Sequence, residues 1–434
     1  MRLYSTNNPN YIVSLRDAVL QGLARDGGLF FPTKLPKLPP DFFRLSRIRS
    51  FQEIAFEAAQ SLFQGALLNR ELKAIIEDAI NFDAPLVRLD STTFMLELFH
   101  GETLAFKDFG ARFLARLMKH YLQDSKQETL ILVATSGDTG SAVAHGFLGM
   151  DGFKVCLLYP SGKVSKIQEQ QLTTIGGNVL ALEIQGTFDD CQRLVKQAFL
   201  DSELRERFQL SSANSINIAR LIPQMFYYLR AYSQLHHSVL SKPLIFSVPS
   251  GNFGNLTAGL FAKHMGLPVS KFIAATNIND IVPKFLESGR FEPKPSLQTL
   301  SNAMDVGNPS NFARMLELYG SVEKMREEIY GASFTDAETL EGMRDIYRRY
   351  EYIAEPHTAI GYLGLEHYRK QVGNDNVGIV LATAHPAKFL DAIEQAGLKP
   401  PAIPERLSQA LRKQKQSILL PNNFSALKSF LMAM

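Results

Sequence analysis

Hydrophobic and polar positions recur at two different periods along this chain, and the change of period divides it. Up to about residue 85 the apolar positions keep helical spacing: SLRDAVLQGLA and IRSFQEIAFEAAQSLFQ predict helices. RDGGLFFPTKLPKLPPDF, between them, is dense in turn residues, and strand character is scarce there. From about residue 93 short apolar runs take over. TLILVAT, FKVCLLYP, VLALEIQ, PLIFSVPS, KFIAATN and VGIVLAT each read as a buried strand. Amphipathic stretches such as DDCQRLVKQAFLDSELRERF and NIARLIPQMFYYLRAYSQL stand between most of them and read as helices. Strands alternating with helices predict parallel-type sheets covered by helices, an α/β architecture whose ligands sit at the carboxyl ends of the strands. Between about 290 and 350 the strand signal fades into a helical insertion. The tail SQALRKQKQSILLPNNFSALKSFLMAM is basic and then amphipathic, and packing against the body accounts for it. The expected organisation is a mainly helical domain over 1–85 and an α/β region over 86–434.

Composition narrows the function classes. A chain of 434 residues can bury a sizeable core and hold two or three domains. A net charge of +3 is too small to argue for nucleic-acid or membrane binding. Cys156 and Cys191 lie in apolar or amphipathic segments and read as buried thiols in a reducing compartment rather than a disulfide. The start, MRLYSTNNPNYIVSL, has no secretory apolar core, and no apolar run approaches the roughly 20 residues that span a bilayer. A cytoplasmic location is the expectation. The nine histidines show neither HExxH nor a paired CxxC, so no metal site is expected, and His236-His237 reads as a solvated helix end. There is no GxSxG nucleophile elbow.

Two segments carry chemistry. In HGETLAFKDFGARFLARLMKH, Phe109, Phe113, Leu114, Leu117 and Met118 form an apolar helical face, and Lys107 stands just before it. An amine at that place is held against apolar surface near the positive end of the helix dipole; both lower its pKa, as a Schiff-base lysine requires. Taken alone, the same lysine also fits a solvated helix start. The second segment is PLIFSVPSGNFGNLTAGLFAKHMG. Here Ser250-Gly251-Asn252-Phe253-Gly254-Asn255 turns from a strand into a helix and offers backbone N–H groups and a helix dipole to a phosphate. It is neither GxGxxG nor a Walker A loop. An aldehyde-trapping lysine with a separate phosphate cup fits pyridoxal phosphate, which needs one of each.

Nearly end to end, the chain resembles the threonine synthases, in particular the longer bacterial and fungal branch with an extra N-terminal domain. The motifs are ARDGGLFFP, FHGETLAFKDFGARF, ATSGDTGSAVAH, SANSINIARLIPQ, VPSGNFGNLTAG, AATNINDIVPKFL, LSNAMDVGNPSN, EPHTAIGY and ATAHPAKF, in that order. The resemblance implies the two-lobed fold of the tryptophan-synthase β-like pyridoxal phosphate enzymes, with the cofactor between the lobes. It implies conversion of O-phospho-L-homoserine and water to L-threonine and phosphate by γ-elimination and β-addition, as a monomer or homodimer.

Residue by residue, Lys107 matches the lysine that binds the cofactor covalently. Gly251, Asn252, Phe253, Gly254 and Asn255 match the loop around its phosphate. Thr383 matches the hydroxyl facing the pyridine nitrogen; unaided it reads as a β-branched residue at a strand end. A hydroxyl there cannot hold a pyridinium proton as a carboxylate would. Thr135, Ser136 and Thr139, in TSGDTG, match the polar groups near the substrate carboxylate, and the same loop also reads as a plain helix cap. Asn214, Ser215 and Arg220 match anchors for the substrate's own phosphate; a capped helix with a surface arginine fits them equally. Arginine's planar fork suits a phosphate. Asp138 departs from the Asn common in the wider fold and has no assigned role. Lys163 is a candidate for substrate phosphate or lobe closure, or simply solvated.

Three other functions fit parts of the pattern. A dehydratase of the same cofactor class needs no second phosphate site. A silent metabolite-binding relative needs neither Lys107 nor the phosphate loop. A nucleotide-binding α/β protein is weakened by the missing fingerprints.

Overall fold

Six largely buried runs build the centre of two mainly parallel sheets; Thr129–Ala134, Leu244–Pro249 and Val377–Ala382 are buried at every position. The structure is a computed structural model and describes residues 1–125 and 127–434. One sheet has five parallel strands in the order Ile418–Pro421, Val179–Gln185, Phe153–Pro160, Thr129–Ala134, Gln209–Ser212. The other has six, in the order Ile329–Ser333, Lys271–Thr276, Leu244–Pro249, Val377–Ala382, Thr93–Glu97, Leu86–Arg88. All its pairings are parallel except the last, an antiparallel edge. The chain is an α/β protein, as the periodicity implied, and it has two such lobes, as the resemblance implied.

Three parts depart from the sequence reading. The first 85 residues are mainly helical, but Asn8–Ser14, Arg2–Ser5 and Phe30–Pro32 form a small antiparallel sheet. Polar residues such as Asn8 and Asn10 hide its period, while Phe31 packs edge-on against Phe261 of the large body, ring centroids 5.5 Å apart. Inside the helical insertion Ile329–Ser333 is an edge strand, too short and half-exposed to show a run. The tail contributes both an edge strand, Ile418–Pro421, and the helix Phe424–Met432. Leu427 and Leu431 of that helix enter a cluster with Leu204 and Phe208, so it does pack on the body.

Local chemistry sets the helix starts that matter. Ser50 and Glu53 form a capping box at Phe51–Leu62, and Thr187 and Asp190 do the same at Phe188–Leu200. Glu355 caps Pro356–Val372 by accepting from the N–H groups of His357 and Thr358. That helix runs along the six-stranded sheet, and the hydroxyl of Ser247 donates to the carbonyl of Gly361 at 2.5 Å. Among the described residues no helix is long and apolar enough to cross a membrane, and no His/Cys/Asp/Glu group is placed to hold a metal. Cys156 and Cys191 are buried free thiols.

Candidate active site

The loops at the carboxyl ends of strands from both sheets face one another across an open cleft of about 1860 Å³. Lys107 is the first residue of the helix Lys107–Leu122. The segment before it is pinned beside the end of strand Val377–Ala382: Phe106 N–H donates to Thr383 O at 2.9 Å, and His385 N–H to Leu104 O at 3.0 Å. Leu104 takes a left-handed conformation, φ 58°, to make this turn. Lys107 and Thr383 thus enter the cleft side by side, although far apart in sequence.

The Lys107 amine donates to Thr139 Oγ1 at 2.9 Å. Burial lowers its pKa to about 8; Asp138 opposes the shift, while Arg220 and Lys388 add to it. The amine therefore gives up its proton far more readily than an ordinary lysine, although most of it is still charged at neutrality.

The loop at 250–255 is closely covered by the 299–305 strap. A Cβ on Gly251 would lie 2.7 Å from Met304 Cα and 3.0 Å from Ala303 O, because the 299–305 strap crosses it there. Phe253 is left-handed, φ 59°, and the helix Gly254–His264 begins at once behind it. Asn252 joins three segments: its amide donates to Ser215 Oγ at 2.5 Å, its Oδ1 accepts from Ser310 N–H at 2.6 Å, and its carbonyl from Asn311 Nδ2 at 3.1 Å. Asn255 Oδ1 accepts from Tyr227 and Tyr228 at 2.6 and 2.7 Å, which leaves its buried Nδ2 without a partner.

Arg220 is not a surface residue. It is 2% exposed and lines the cleft. It passes over Gly110, where a Cβ would meet its carbonyl at 2.6 Å and its Nε at 3.0 Å. It donates to Ala213 O, while its Nε and the nearby Asn214 Oδ1 are buried and unpaired. Burial lowers its pKa to about 10, so it stays cationic. Polar atoms buried without partners are costly unless something else satisfies them.

Ser136, Thr139, Asn214, Ser215 and Lys163 line the same cleft. Thr135 does not. Its hydroxyl faces inward, accepting from Gly137 N–H at 3.0 Å and Gly140 N–H at 2.8 Å. It shapes the loop rather than facing a ligand, because Gly137 (φ 139°) turns the chain back over it. Sequence reasoning missed Lys388. It is 1% exposed, and its ammonium sits 2.6 Å from Asp138 Oδ1. The only local signal was a lysine just after a strand, in ATAHPAKF; that it meets Asp138 depends on how the two lobes come together.

Models of known families cover the chain in three pieces. Residues 80–383 match the pyridoxal-phosphate dependent enzymes, 2–80 the threonine synthase N terminus, and 358–431 the threonine synthase C-terminal region. The threonine synthase of Serratia marcescens is 44% identical over 439 residues, covering 100% of both chains. That of Schizosaccharomyces pombe is 36% identical, covering 90% of this chain and 88% of its own.

The chain belongs to the threonine synthase family.

Solved structures of that family superpose closely. The Escherichia coli enzyme gives a TM-score of 0.92 at 42% identity, with 100% of both chains covered. The pyridoxal-phosphate-bound enzyme of Brucella melitensis gives 0.92 at 36% identity, with 100% of this chain and 99% of that one covered. This family is pyridoxal phosphate dependent, and the cleft fits the group. The residues present include a depressed-pKa amine, a strand-to-helix turn whose Gly251 lies too close to the 299–305 strap for a Cβ, and an orphaned donor on Asn255.

Proposed function

We propose that this protein converts O-phospho-L-homoserine and water to L-threonine and phosphate. One observation carries the reading. Two segments whose donors suit an anion, 250–255 and 214–220, share one cleft with Lys107 and are tied together by the Asn252–Ser215 hydrogen bond. A reaction needing only the cofactor's phosphate leaves the second without use.

Lys107, Thr383 and the loop from Gly251 to Asn255 would hold pyridoxal phosphate, which supplies an aldehyde for the substrate amine and a ring that withdraws electron density. Lys107, once free, takes the proton from Cα; a pKa near neutrality lets it both accept and return protons. Asn214, Ser215 and Arg220 bind the substrate phosphate and stabilise the charge it gains on leaving Cγ. Ser136 and Thr139 orient the carboxylate, Thr139 while also accepting from Lys107. Protons lost from Cα and Cβ are balanced by protonation at Cγ, water addition at Cβ and return of a proton to Cα.

The test is phosphate release from O-phospho-L-homoserine with amino-acid product analysis, for wild type and Lys107→Ala. The expectation is equal threonine and phosphate from wild type and neither from the variant. A keto acid from serine or threonine with no phosphate release would make the protein a dehydratase.

A further inference from the structure

We propose that Lys388 is a positioning residue for the reaction. It clamps the two lobes together through Asp138 and balances that carboxylate, so that Lys107 alone exchanges protons with the substrate. The proposal rests on the function proposed above.

The geometry begins with Asp138, the first residue of the helix behind strand Thr129–Ala134 in the five-stranded lobe. Lys388 closes the turn behind strand Val377–Ala382 in the six-stranded lobe. Their contact, 2.6 Å with both side chains at most 5% exposed, is therefore a buried ion pair across the cleft. The Lys388 ammonium also donates to Thr103 O at 2.9 Å, just before Lys107. A second cross-lobe link runs beside it: Gln168 Nε2 donates to Asp138 Oδ1 at 3.0 Å, and Asn302 Nδ2 donates to Gln168 Oε1 at 3.2 Å. Asp138 precedes Thr139, which holds the Lys107 amine.

A buried carboxylate with no cation would take a proton or draw the nearest ammonium to itself. Here the nearest alternative is Lys107. With Lys388 in place Asp138 stays ionised, its pKa held down to about 2 despite burial, and it has no proton to give. The groups facing Lys107 are Asp138, Arg220 and Lys388 from three separate elements; Asp108, on its own helix, is turned to Thr103.

The two halves of the pair act on Lys107 with opposite sign. Lys388→Met removes a cation and frees an anion, so a cationic Lys107 nitrogen becomes easier to form. Asp138→Asn removes the anion and frees the cation, so it becomes harder. Each single variant should move the pH midpoint by about one unit, upward for Lys388→Met and downward for Asp138→Asn. The double variant should return close to wild type.

The experiment uses the holoenzyme. The pH midpoint of the bound cofactor's visible band, which needs no turnover, is titrated alongside the acid limb of kcat for wild type, both singles, the double and Lys388→Arg. Opposite shifts in the singles, cancellation in the double and partial recovery in Lys388→Arg support the proposal. Shifts of the same sign, or none, overturn it. Should Lys388→Met not fold, Asp138→Asn and the double variant still decide: a midpoint that fails to fall in the first, or fails to return in the second, overturns it as well. Failure of the function reading is distinguishable, because it removes phosphate release and leaves the band titration intact.

Discussion

Replacing Arg314 by Met should damage both stability and substrate binding. Arg314 is fully buried, on the helix Phe312–Tyr319, and no carboxylate pairs with it among the described residues. Its fork instead donates to three oxygens in three parts of the protein. These are Phe30 O of the small N-terminal sheet at 3.1 Å, Ile216 O in the loop carrying Asn214 and Ser215 at 2.7 Å, and Asn311 Oδ1 at 2.7 Å. Asn311 in turn holds the carbonyl of Asn252. One guanidinium therefore ties the N-terminal domain to the two segments proposed to bind phosphate.

Hydrogen bonds from a charged donor contribute about 1.5–3 kcal/mol each, and a carbonyl left buried and unpaired costs about 1–3 kcal/mol. Met keeps most of the volume, so the loss is chiefly polar. Allowing for relaxation, Arg314→Met should cost about 4 kcal/mol. Unfolding entropy of about 2.1 cal/mol/K per residue turns that into a Tm drop of about 4 °C for a chain of this length. Loosening Ile216 should also raise KM for O-phospho-L-homoserine by about tenfold, equivalent to about 1.4 kcal/mol. Calorimetry and initial-rate kinetics read the two effects. Arg314→Lys should recover little, because one ammonium cannot reach three fixed acceptors. Wild-type Tm and KM in Arg314→Met would refute the reasoning, and full recovery in Arg314→Lys would show that charge, not the fork, is what counts.

Gly251→Ala should weaken cofactor binding at least about tenfold, since the new Cβ meets backbone at 2.7 Å and overpacking of this kind costs about 1–3 kcal/mol. Gly254→Ala, whose Cβ would come no closer than 3.4 Å to a side-chain amide, should cost less; equal cofactor dissociation constants for the two would discount the strap contact. Arg220→Lys should raise KM for the phosphorylated substrate by about 10–100-fold, because an ammonium cannot pair two phosphate oxygens and also reach Ala213 O. Unchanged kinetics in that variant would remove Arg220 from the substrate site.

Much of the fold could be read because its central strands are buried on both faces. FKVCLLYP and VLALEIQ match their strands residue for residue, since a short, mostly apolar run bounded by polar segments fits a buried strand of an α/β lobe. Edge strands stayed hidden: QLSS and IYGAS are short and half-exposed, so neither period shows. In the site, Lys107 and the loop after Pro249 stood out because their chemistry is local. Thr135 and Thr139 could not be told apart, since which hydroxyl points into the cleft depends on Gly137. The burial of Arg220 depends on Gly110 of another helix, and the Asp138–Lys388 contact on how the lobes meet.

That division follows from what each residue has to do. Holding a phosphate takes backbone N–H groups in one turn, and a strand–glycine–helix sequence specifies it alone. Setting the proton affinity of Lys107 takes a balance among groups on separate elements. Burial pushes the amine down, Arg220 and Lys388 push it further, and Asp138 pulls it back. Burial is the largest of these contributions, and the charges partly cancel one another. A lysine in this setting near neutrality is therefore a property of the assembled lobes. Opening the cleft by breaking the cross-lobe pair should change its chemistry as much as its shape.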